Sequence, residues 1–305
     1  MVVFFYDLIR EVMFMLTREA FAEILNQGPL ILDGATGSSL MKAGMPRGVC
    51  TEEWVINHPE ALIELQRAYY AAGSRVIYAP TFQAQPIPLA RVKLDRQTES
   101  INAMLASLSR KACPDALIAG DLTTMASFAD TYDEALFDTM VENYQRQISG
   151  LLEGGVDLLA AETLLYPQDA EAILTAAELE GAEVDMYSFT MQPDGSLFSG
   201  RDAGEVLRDL EEAGAAAVGF NCVAADGMTA GLVSKLRRKV RGPLLCKPNA
   251  GVPQIAEGGL VEYPLDAEGF ADVMADCRQM GAAILGGCCG TTPDYIRAMC
   301  QKIGG

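Results

Sequence analysis

The chain has 305 residues and carries 23 lysines and arginines against 41 aspartates and glutamates, a formal net charge of −18. Nucleic-acid phosphates and anionic membrane surfaces both require clustered cations, so this charge argues against either as a partner. No apolar run approaches the roughly eighteen residues of a membrane span. Eight cysteines without a secretory signal favour a reducing cytoplasm and thiol or metal chemistry over a disulfide framework.

The first seventeen residues form an apolar segment that Asp7, Arg10 and Glu11 interrupt. No basic stretch precedes it, which favours an amphipathic helix over a signal peptide. We expect residues 1–17 to form an N-terminal extension that caps one end of the domain or packs on a neighbouring subunit, and residues 18–305 to form a single domain. A mis-assigned start codon is the alternative explanation of the segment.

Eight short apolar runs follow along the chain, and a helix-like segment comes after each. The runs are residues 30–33, 75–79, 116–121, 156–162, 183–190, 215–222, 244–249 and 282–288. Eight strand–helix repeats with nearly continuous apolar strands predict an α/β fold, a single (β/α)8 TIM barrel. An open doubly wound sheet is the alternative. Helix starts at Pro59, Asp202 and Pro293 agree with the predicted order of strands and helices.

Polar residues stand where most of these runs end, and in such barrels the active site lies at the carboxyl ends of the strands. We therefore expect one shared mouth to be lined by these residues: Asp33, Thr81, Phe82, Gln83, Asp121, Glu162, Thr163, Asn221, Cys222, Asn249, Cys288 and Cys289. Each also has a structural interpretation as a turn former, a helix cap or a loop tie. The pattern assigns no role to Gln83, Asp121 or Asn249.

Cys288 and Cys289 are adjacent and have glycines on both sides. Neighbouring residues are too close for an ordinary disulfide, whereas two thiols at a strand tip can share a soft metal. Cys222 ends another small, apolar run and is the natural third ligand. Three cysteines would leave a zinc ion one open position, as catalytic zinc sites do, and a substrate thiol suits it. The alternatives are three buried small residues, a structural zinc site completed by Cys246, and a metal-free enzyme with a cysteine nucleophile.

Several enzyme classes are excluded by the single histidine, His58, at a predicted helix start. Histidine-based zinc hydrolases, two-histidine iron sites and Ser-His-Asp triads all need histidines that this chain does not supply. The sequence also has no phosphate-binding loop with the Gly-x-x-x-x-Gly-Lys pattern and no dinucleotide fingerprint.

Three segments together resemble a known family: Asp33-Gly34-Ala35-Thr36-Gly37, Gly219-Phe220-Asn221-Cys222 and Gly286-Gly287-Cys288-Cys289-Gly290-Thr291-Thr292-Pro293. They are similar to the homocysteine-binding domain of zinc-dependent homocysteine S-methyltransferases. That family includes the homocysteine half of cobalamin-dependent methionine synthase, betaine–homocysteine methyltransferase and S-methylmethionine-dependent enzymes. The resemblance runs from about residue 18 to the C-terminus and implies an enzyme that methylates homocysteine to methionine, with zinc on the three cysteines.

The same resemblance places Asp33 and Glu162 near the amino-acid end of homocysteine. A buried carboxylate needs a partner, and the ammonium group of the substrate provides one. Backbone N–H groups after the first strand are suited to the substrate carboxylate, because glycine allows close approach. The predicted substrate-binding set is Asp33, Gly34, Ala35, Thr36, Glu162 and Asn221.

Three positions in the sequence bear on the identity of the methyl donor. Cys50, Gln83 and Thr163 stand where betaine-using members carry a tryptophan and two tyrosines that surround a quaternary ammonium, so betaine is disfavoured. We expect methylcobalamin on a separate corrinoid protein, since the sequence shows no second domain for cobalamin or folate. S-methylmethionine is the alternative donor.

Overall fold

The computed structural model describes residues 15–125, 134–255 and 261–304, which form a ring of parallel strands surrounded by helices. The eight barrel strands are β1 (Leu30–Ile31), β2 (Val76–Tyr78), β3 (Leu117–Leu122), β4 (Leu158–Leu164), β5 (Asp185–Phe189), β6 (Ala217–Ala224), β7 (Leu244–Asn249) and β10 (Ile284–Leu285). Between β7 and β10 the chain forms an antiparallel pair, β8 (Gln254–Ile255) and β9 (Val261–Glu262).

The helices of these residues are α1 (Arg18–Gln27), α2 (Gly37–Lys42), α3 (Thr51–Asn57), α4 (Pro59–Ala72), α5 (Pro86–Ala90), α6 (Thr98–Ala112), α7 (Glu134–Glu153), α8 (Pro167–Glu180), α9 (Ala203–Ala213), α10 (Thr229–Arg237), α11 (Ala267–Gln279) and α12 (Pro293–Ile303). The three predicted helix starts are confirmed. Pro59 and Pro293 begin α4 and α12, and the Asp202 side chain accepts a hydrogen bond from the N–H of Glu205 as the cap of α9.

The sheet closes into a barrel. Its strand order is β1-β10-β7-β6-β5-β4-β3-β2, and every pair is parallel. The two edges meet where Leu32 bridges Val76 and the N–H of Arg75 donates to the carbonyl of Ile31 at 2.8 Å. The predicted TIM barrel is therefore confirmed, and an open sheet is excluded.

The strands alternate between two hydrophobic cores, as the two-residue period of a β-strand requires. On β3, Leu117 and Ala119 belong to the cluster inside the barrel, while Ile118 packs in the cluster that includes the surrounding helices. On β7, Leu245 lies inside and Cys246 outside. The next inward position on each strand toward the carboxyl end is thus polar, Asp121 on β3 and Lys247 on β7.

The amino end of the barrel is closed by the first described segment. Thr17 caps α1 through a hydrogen bond from the N–H of Ala20, and Leu16 and Phe21 join the interior cluster. Residues 15–17 of the predicted amphipathic helix are not helical, and residues 1–14 lie outside the described ones. Its suggested subunit contact stays a prediction. No helix in the described ranges is long and apolar enough to cross a membrane.

Strands β4 and β6 run two residues beyond their predicted ends because each contains a shift in pairing register. At these shifts Thr163 and Cys222 have left-handed backbone conformations, with φ of 57° and 56°. Such conformations are unfavourable for residues other than glycine and are concentrated at functional sites. Both residues lie at the carboxyl end of the barrel, where the site was predicted.

Candidate metal centre and substrate site

The three predicted metal ligands come together at the carboxyl end of the barrel. Cys222 is on β6, and Cys288 and Cys289 follow β10. Their Sγ atoms all lie within 4.8 Å of one another. A tetrahedral zinc ion with Zn–S bonds of about 2.3 Å needs sulfurs about 3.8 Å apart, so small side-chain adjustments suffice. Among residues 15–125, 134–255 and 261–304 no other group of three cysteine, histidine or acidic side chains is arranged to hold a metal.

The backbone around the cysteine pair is held by β7 and needs glycine. Cys288 donates its N–H to the carbonyl of Pro248 at 2.7 Å, and Cys289 donates its N–H to Oδ1 of Asn249 at 3.0 Å. A Cβ atom on Gly287 would lie 2.4 Å from Oγ1 of Thr291. The glycines flanking the pair therefore allow tight packing of the loop, and Asn249 fixes the position of Cys289.

The three thiols influence one another strongly. Hydrogen bonds from Cys222 and Cys288 lower the pKa of Cys289 to about 3, against the effect of burial, and the hydroxyl of Tyr263 assists them. The pKa of Cys222 is raised correspondingly by its contacts with the other two cysteines. The cluster therefore stabilises a thiolate without a histidine base, and thiolate sulfur is a preferred ligand of zinc.

Asn221 joins the register shifts of β4 and β6. Its Oδ1 accepts hydrogen bonds from the N–H of Thr163 at 2.7 Å and from Oγ of Ser188 at 3.1 Å. Its Nδ2 donates to Oγ1 of Thr163 at 2.8 Å and reaches Sγ of Cys288 at 3.9 Å. The side chain therefore positions the strand ends and one cysteine, and its predicted contact with the substrate stays a prediction.

Cys246, the fourth ligand of the structural-zinc alternative, lies apart from this cluster. Strand alternation turns it outward into the core beneath the helices, where its thiol contacts Cys277. All eight cysteines are free of disulfides.

A charged layer lies directly above the apolar interior of the barrel. Nζ of Lys247 is 2.7 Å from Oε2 of Glu162, and the two side chains are 4% and 10% exposed. The same Nζ lies 4.7 Å from the centre of the Tyr78 ring, a cation–π contact. Burial opposes the charge of Lys247, but the surrounding acidic groups, chiefly Glu162, raise its pKa well above its ordinary value. Lys247 was not predicted from the sequence as part of the site.

Two further buried carboxylates belong to this layer. Asp33 accepts the N–H of Tyr78 on Oδ2 at 2.9 Å, which completes the closure between β1 and β2. Burial raises the pKa of Asp33 to about 7, and the charge of Lys247 opposes the rise. The pKa of Asp121 is raised well above its usual value by burial and then by the charge of Glu162. Oδ1 of each aspartate is buried without a hydrogen-bond partner in the described part of the chain.

The loop after β1 is joined to the cysteine loop. Ala35 donates its N–H to Oγ1 of Thr291 at 3.2 Å, and Oγ1 of Thr291 donates to the carbonyl of Cys288 at 2.7 Å. The hydroxyl of Tyr69 lies 3.0 Å from the carbonyl of Ala35 and 3.1 Å from that of Thr291. A Cβ on Gly34 would approach the Tyr69 ring to 2.7 Å. Glycine is thus required here, and the loops form one unit.

Cys50 and Gln83 both contact a carboxylate that was not predicted from the sequence. Glu52, at the start of α3, is buried. Its Oε1 accepts the N–H of Gln83 at 2.8 Å, and its Oε2 accepts a hydrogen bond from the thiol of Cys50 at 3.3 Å. Cys50 and Gln83 therefore contact a carboxylate and form no aromatic cage. Thr163, at the third position that is aromatic in betaine-using members, is hydrogen-bonded to Asn221.

Comparison with known proteins gives a consistent result. Residues 30–303 match the profile of the homocysteine S-methyltransferase family. The methionine synthases of Mycobacterium leprae and Mycobacterium tuberculosis are each 25% identical to the chain over 92% of its length. The match covers 25% of either relative, so the chain spans about a quarter of the length of these proteins.

A solved structure matches nearly end to end. The metallated form of the homocysteine methyltransferase MmuM from Escherichia coli superposes with a TM-score of 0.75 at 26% identity, and the match covers 91% of this chain and 97% of MmuM. The range matched by the family profile, residues 30–303, contains the eight barrel strands and all three cysteines.

Proposed function

Because the chain belongs to the homocysteine S-methyltransferase family, we propose that it transfers a methyl group to the thiol of homocysteine, giving methionine, with zinc bound by Cys222, Cys288 and Cys289. The observation that carries this proposal is the convergence of three cysteine Sγ atoms within 4.8 Å at the mouth of the barrel. Bound zinc would supply the Lewis acidity that keeps a coordinated substrate thiol deprotonated at neutral pH.

The remaining residues orient the substrate. Asp33 and Glu162 face its ammonium group, and the N–H groups of Gly34 and Thr36 face its carboxylate, since the N–H of Ala35 is already bonded to Thr291. In the transfer itself a new sulfur–methyl bond forms while the donor–methyl bond breaks. The electron pair of the broken bond leaves with the donor, and the thiol proton passes to solvent.

For the donor we propose methylcobalamin carried by a partner corrinoid protein. The similarity to methionine synthases supports it, and the non-aromatic residues Cys50, Gln83 and Thr163 disfavour betaine. S-methylmethionine is the second candidate, because the buried carboxylate of Glu52 beside Cys50 and Gln83 would suit the positive charge of a sulfonium. The eight free cysteines fit a reducing cytoplasm, where we propose that the enzyme works.

The test is methionine formation by the zinc-loaded full chain from homocysteine and each donor in turn: methylcobalamin, S-methylmethionine and betaine. We expect turnover with methylcobalamin, loss of turnover after zinc is removed by a chelator, and recovery when zinc is returned. Turnover with S-methylmethionine alone would make the corrinoid partner unnecessary. Turnover with betaine at the rate of the other two donors would show that the non-aromatic residues Cys50, Gln83 and Thr163 do not prevent betaine use. Full activity of metal-free protein would refute the zinc site.

A further inference from the structure

Tyr263 lies directly over the loop that carries two of the proposed zinc ligands. It follows β9 and is partly buried. A Cβ atom on Gly290 would lie 2.4 Å from Cγ of the Tyr263 ring, and Gly290 has a φ of 84°. Glycine is therefore required at this position both by the backbone conformation and by the ring that packs on it. The aromatic ring covers the chain immediately after Cys289.

The segment that carries Tyr263 is anchored to Cys289. The N–H of Ala250 donates to the carbonyl of Cys289 at 2.9 Å, and the N–H of Leu265 donates to the carbonyl of Ala250 at 3.2 Å. The hydroxyl of Tyr295 donates to the carbonyl of Leu265 at 2.7 Å. Because Leu265 comes only two residues after Tyr263, these hydrogen bonds hold the Tyr263 side chain close to the cysteine.

The hydroxyl of Tyr263 completes this contact by donating a hydrogen bond to Sγ of Cys289. A hydrogen bond to an anionic sulfur stabilises its charge and lowers its basicity. The nucleophilicity of a thiolate falls with its basicity, by about 0.4–0.5 of the change on a logarithmic scale. Tyr263 therefore makes Cys289 a weaker nucleophile while leaving it available as a metal ligand.

The chemistry proposed for this site gives such a hydrogen bond a use. Cys222, Cys288 and Cys289 would be thiolates on the same zinc ion as the substrate thiolate, so a methyl donor would meet four sulfurs of similar character. Methylation of a cysteine would leave a neutral thioether on the protein in place of an anionic ligand. The site stays intact over many turnovers only when the substrate sulfur reacts faster than the cysteines.

Cys289 needs this protection more than its neighbour does. Cys288 is 7% exposed, and Nδ2 of Asn221 reaches its Sγ at 3.9 Å. Cys289 is only partly buried, so a methyl donor in the mouth of the barrel has easier access to it. The hydrogen bond from Tyr263 is thus placed on the more accessible member of the pair.

We propose that Tyr263 is a positioning residue that protects Cys289 from methylation and thereby directs the methyl group to the substrate sulfur. This rests on the proposed function, because it presupposes the zinc site. It deepens that function by assigning the choice of methyl acceptor to a residue that is not itself a ligand. Tyr263 acts through its hydrogen bond to Cys289.

Methyl iodide tests this on the zinc-loaded full chain without a natural donor. In the reaction a cysteine sulfur forms a bond to the methyl carbon, the carbon–iodine bond breaks, and iodide leaves with the electron pair. Tandem mass spectrometry of the digested protein measures the initial methylation rate at each cysteine. Tyr263→Phe keeps the ring and removes the hydroxyl. We expect Cys289 to be methylated about 3- to 10-fold faster in this variant, because one hydrogen bond to a charged group is lost and nucleophilicity follows part of the change in basicity.

Selectivity among the cysteines is a readout that a purely structural role would not move. In Tyr263→Phe the methylation rates at Cys222 and Cys288 should remain those of wild type, because the lost hydrogen bond is on Cys289. An equal rise at all three cysteines would indicate that the loop had loosened and would overturn the inference.

The matched control is Tyr295→Phe, which removes a hydroxyl that donates to a backbone carbonyl in the same segment. This variant should methylate Cys289 at the wild-type rate. A rise equal to that in Tyr263→Phe would show that anchoring of the segment, and not the hydrogen bond to the thiol, controls the reactivity of Cys289, and would overturn the inference.

The outcomes separate this inference from the proposed function. Zinc-loaded wild type and Tyr263→Phe that methylate Cys289 at the same rate would overturn the role of Tyr263 and leave the proposed function intact. Wild type that binds no zinc would overturn both. A Tyr263→Phe protein that fails to fold or to retain zinc, as measured by thermal unfolding and metal content, would show that the tyrosine is structural and would also overturn the inference.

Discussion

Replacing Lys247 by methionine removes the one cation that the described residues contribute to the charged layer. Lys247 and Glu162 are joined at 2.7 Å with side chains 4% and 10% exposed, and the Tyr78 ring lies against the ammonium at 4.7 Å. Methionine has a similar length and shape, so the change leaves little new cavity. Its main consequence is an unpaired carboxylate at Glu162.

Breaking a buried ion pair by removing one partner destabilises proteins by about 3–5 kcal/mol. We expect a loss of that size in the free energy of unfolding of Lys247→Met, a large fraction of the 5–15 kcal/mol typical of a folded domain. The double variant Lys247→Met/Glu162→Gln should recover much of the loss, because the remaining side chain is neutral and its desolvation is less unfavourable.

Urea unfolding of the zinc-loaded protein at neutral pH measures these values. The matched control is Lys302→Met, because Lys302 pairs with Asp272 on the surface with side chains 46% and 55% exposed. Surface pairs contribute about 0–1 kcal/mol, so this variant should be close to wild type. A Lys247→Met protein as stable as the Lys302→Met protein would refute the account of the charged layer.

Further predictions concern the metal, the substrate and pH. Alanine at Cys222, Cys288 or Cys289 should abolish zinc binding and methyl transfer, whereas Cys113→Ala and Cys300→Ala should keep both. Full zinc content in all three variants of the proposed ligands would refute the assignment of the zinc site. Glu162→Gln and Asp33→Asn should each weaken homocysteine binding by about 1.5–3 kcal/mol in calorimetric titration with zinc retained, and unchanged affinity in both would refute their assignment. Because burial raises the pKa of Asp33 from 3.8 to about 7, its contribution to stability is full below pH 3.8 and is lost as pH rises to about 7. In metal-free protein, Asp33→Asn should therefore reduce the fall in unfolding free energy between pH 3.8 and about 7. The same pH dependence in wild type and variant would contradict the raised pKa of Asp33.

The barrel could be predicted from the sequence because its signal is repeated. Each apolar run is short, each is followed by a helical segment, and eight repeats leave few other folds. The bounds were less accurate where local geometry decides them. Pairing resumes at Leu164 and Ala224 after residues with positive φ, and β8 and β9 have two residues each, too few to give a periodic pattern.

The cysteine cluster was predictable because the carboxyl ends of barrel strands converge and because adjacent cysteines between glycines are unusual. Lys247 and Glu52 were not predicted, since their roles come from contacts between distant parts of the chain. Strand alternation did contain a signal for Lys247: its position two residues after Leu245 turns it into the barrel. Asp121 was identified as a strand-end residue, but only the three-dimensional structure reveals that its partner is missing.

The central claim, that three cysteines hold zinc with one position open for the substrate thiol, is tested most directly by X-ray absorption at the zinc edge. Without substrate we predict three sulfur ligands at about 2.3 Å and one lighter nitrogen or oxygen ligand. Addition of homocysteine should raise the count to four sulfurs. Four sulfurs before substrate is added, or three that do not change at saturating homocysteine, would contradict the account.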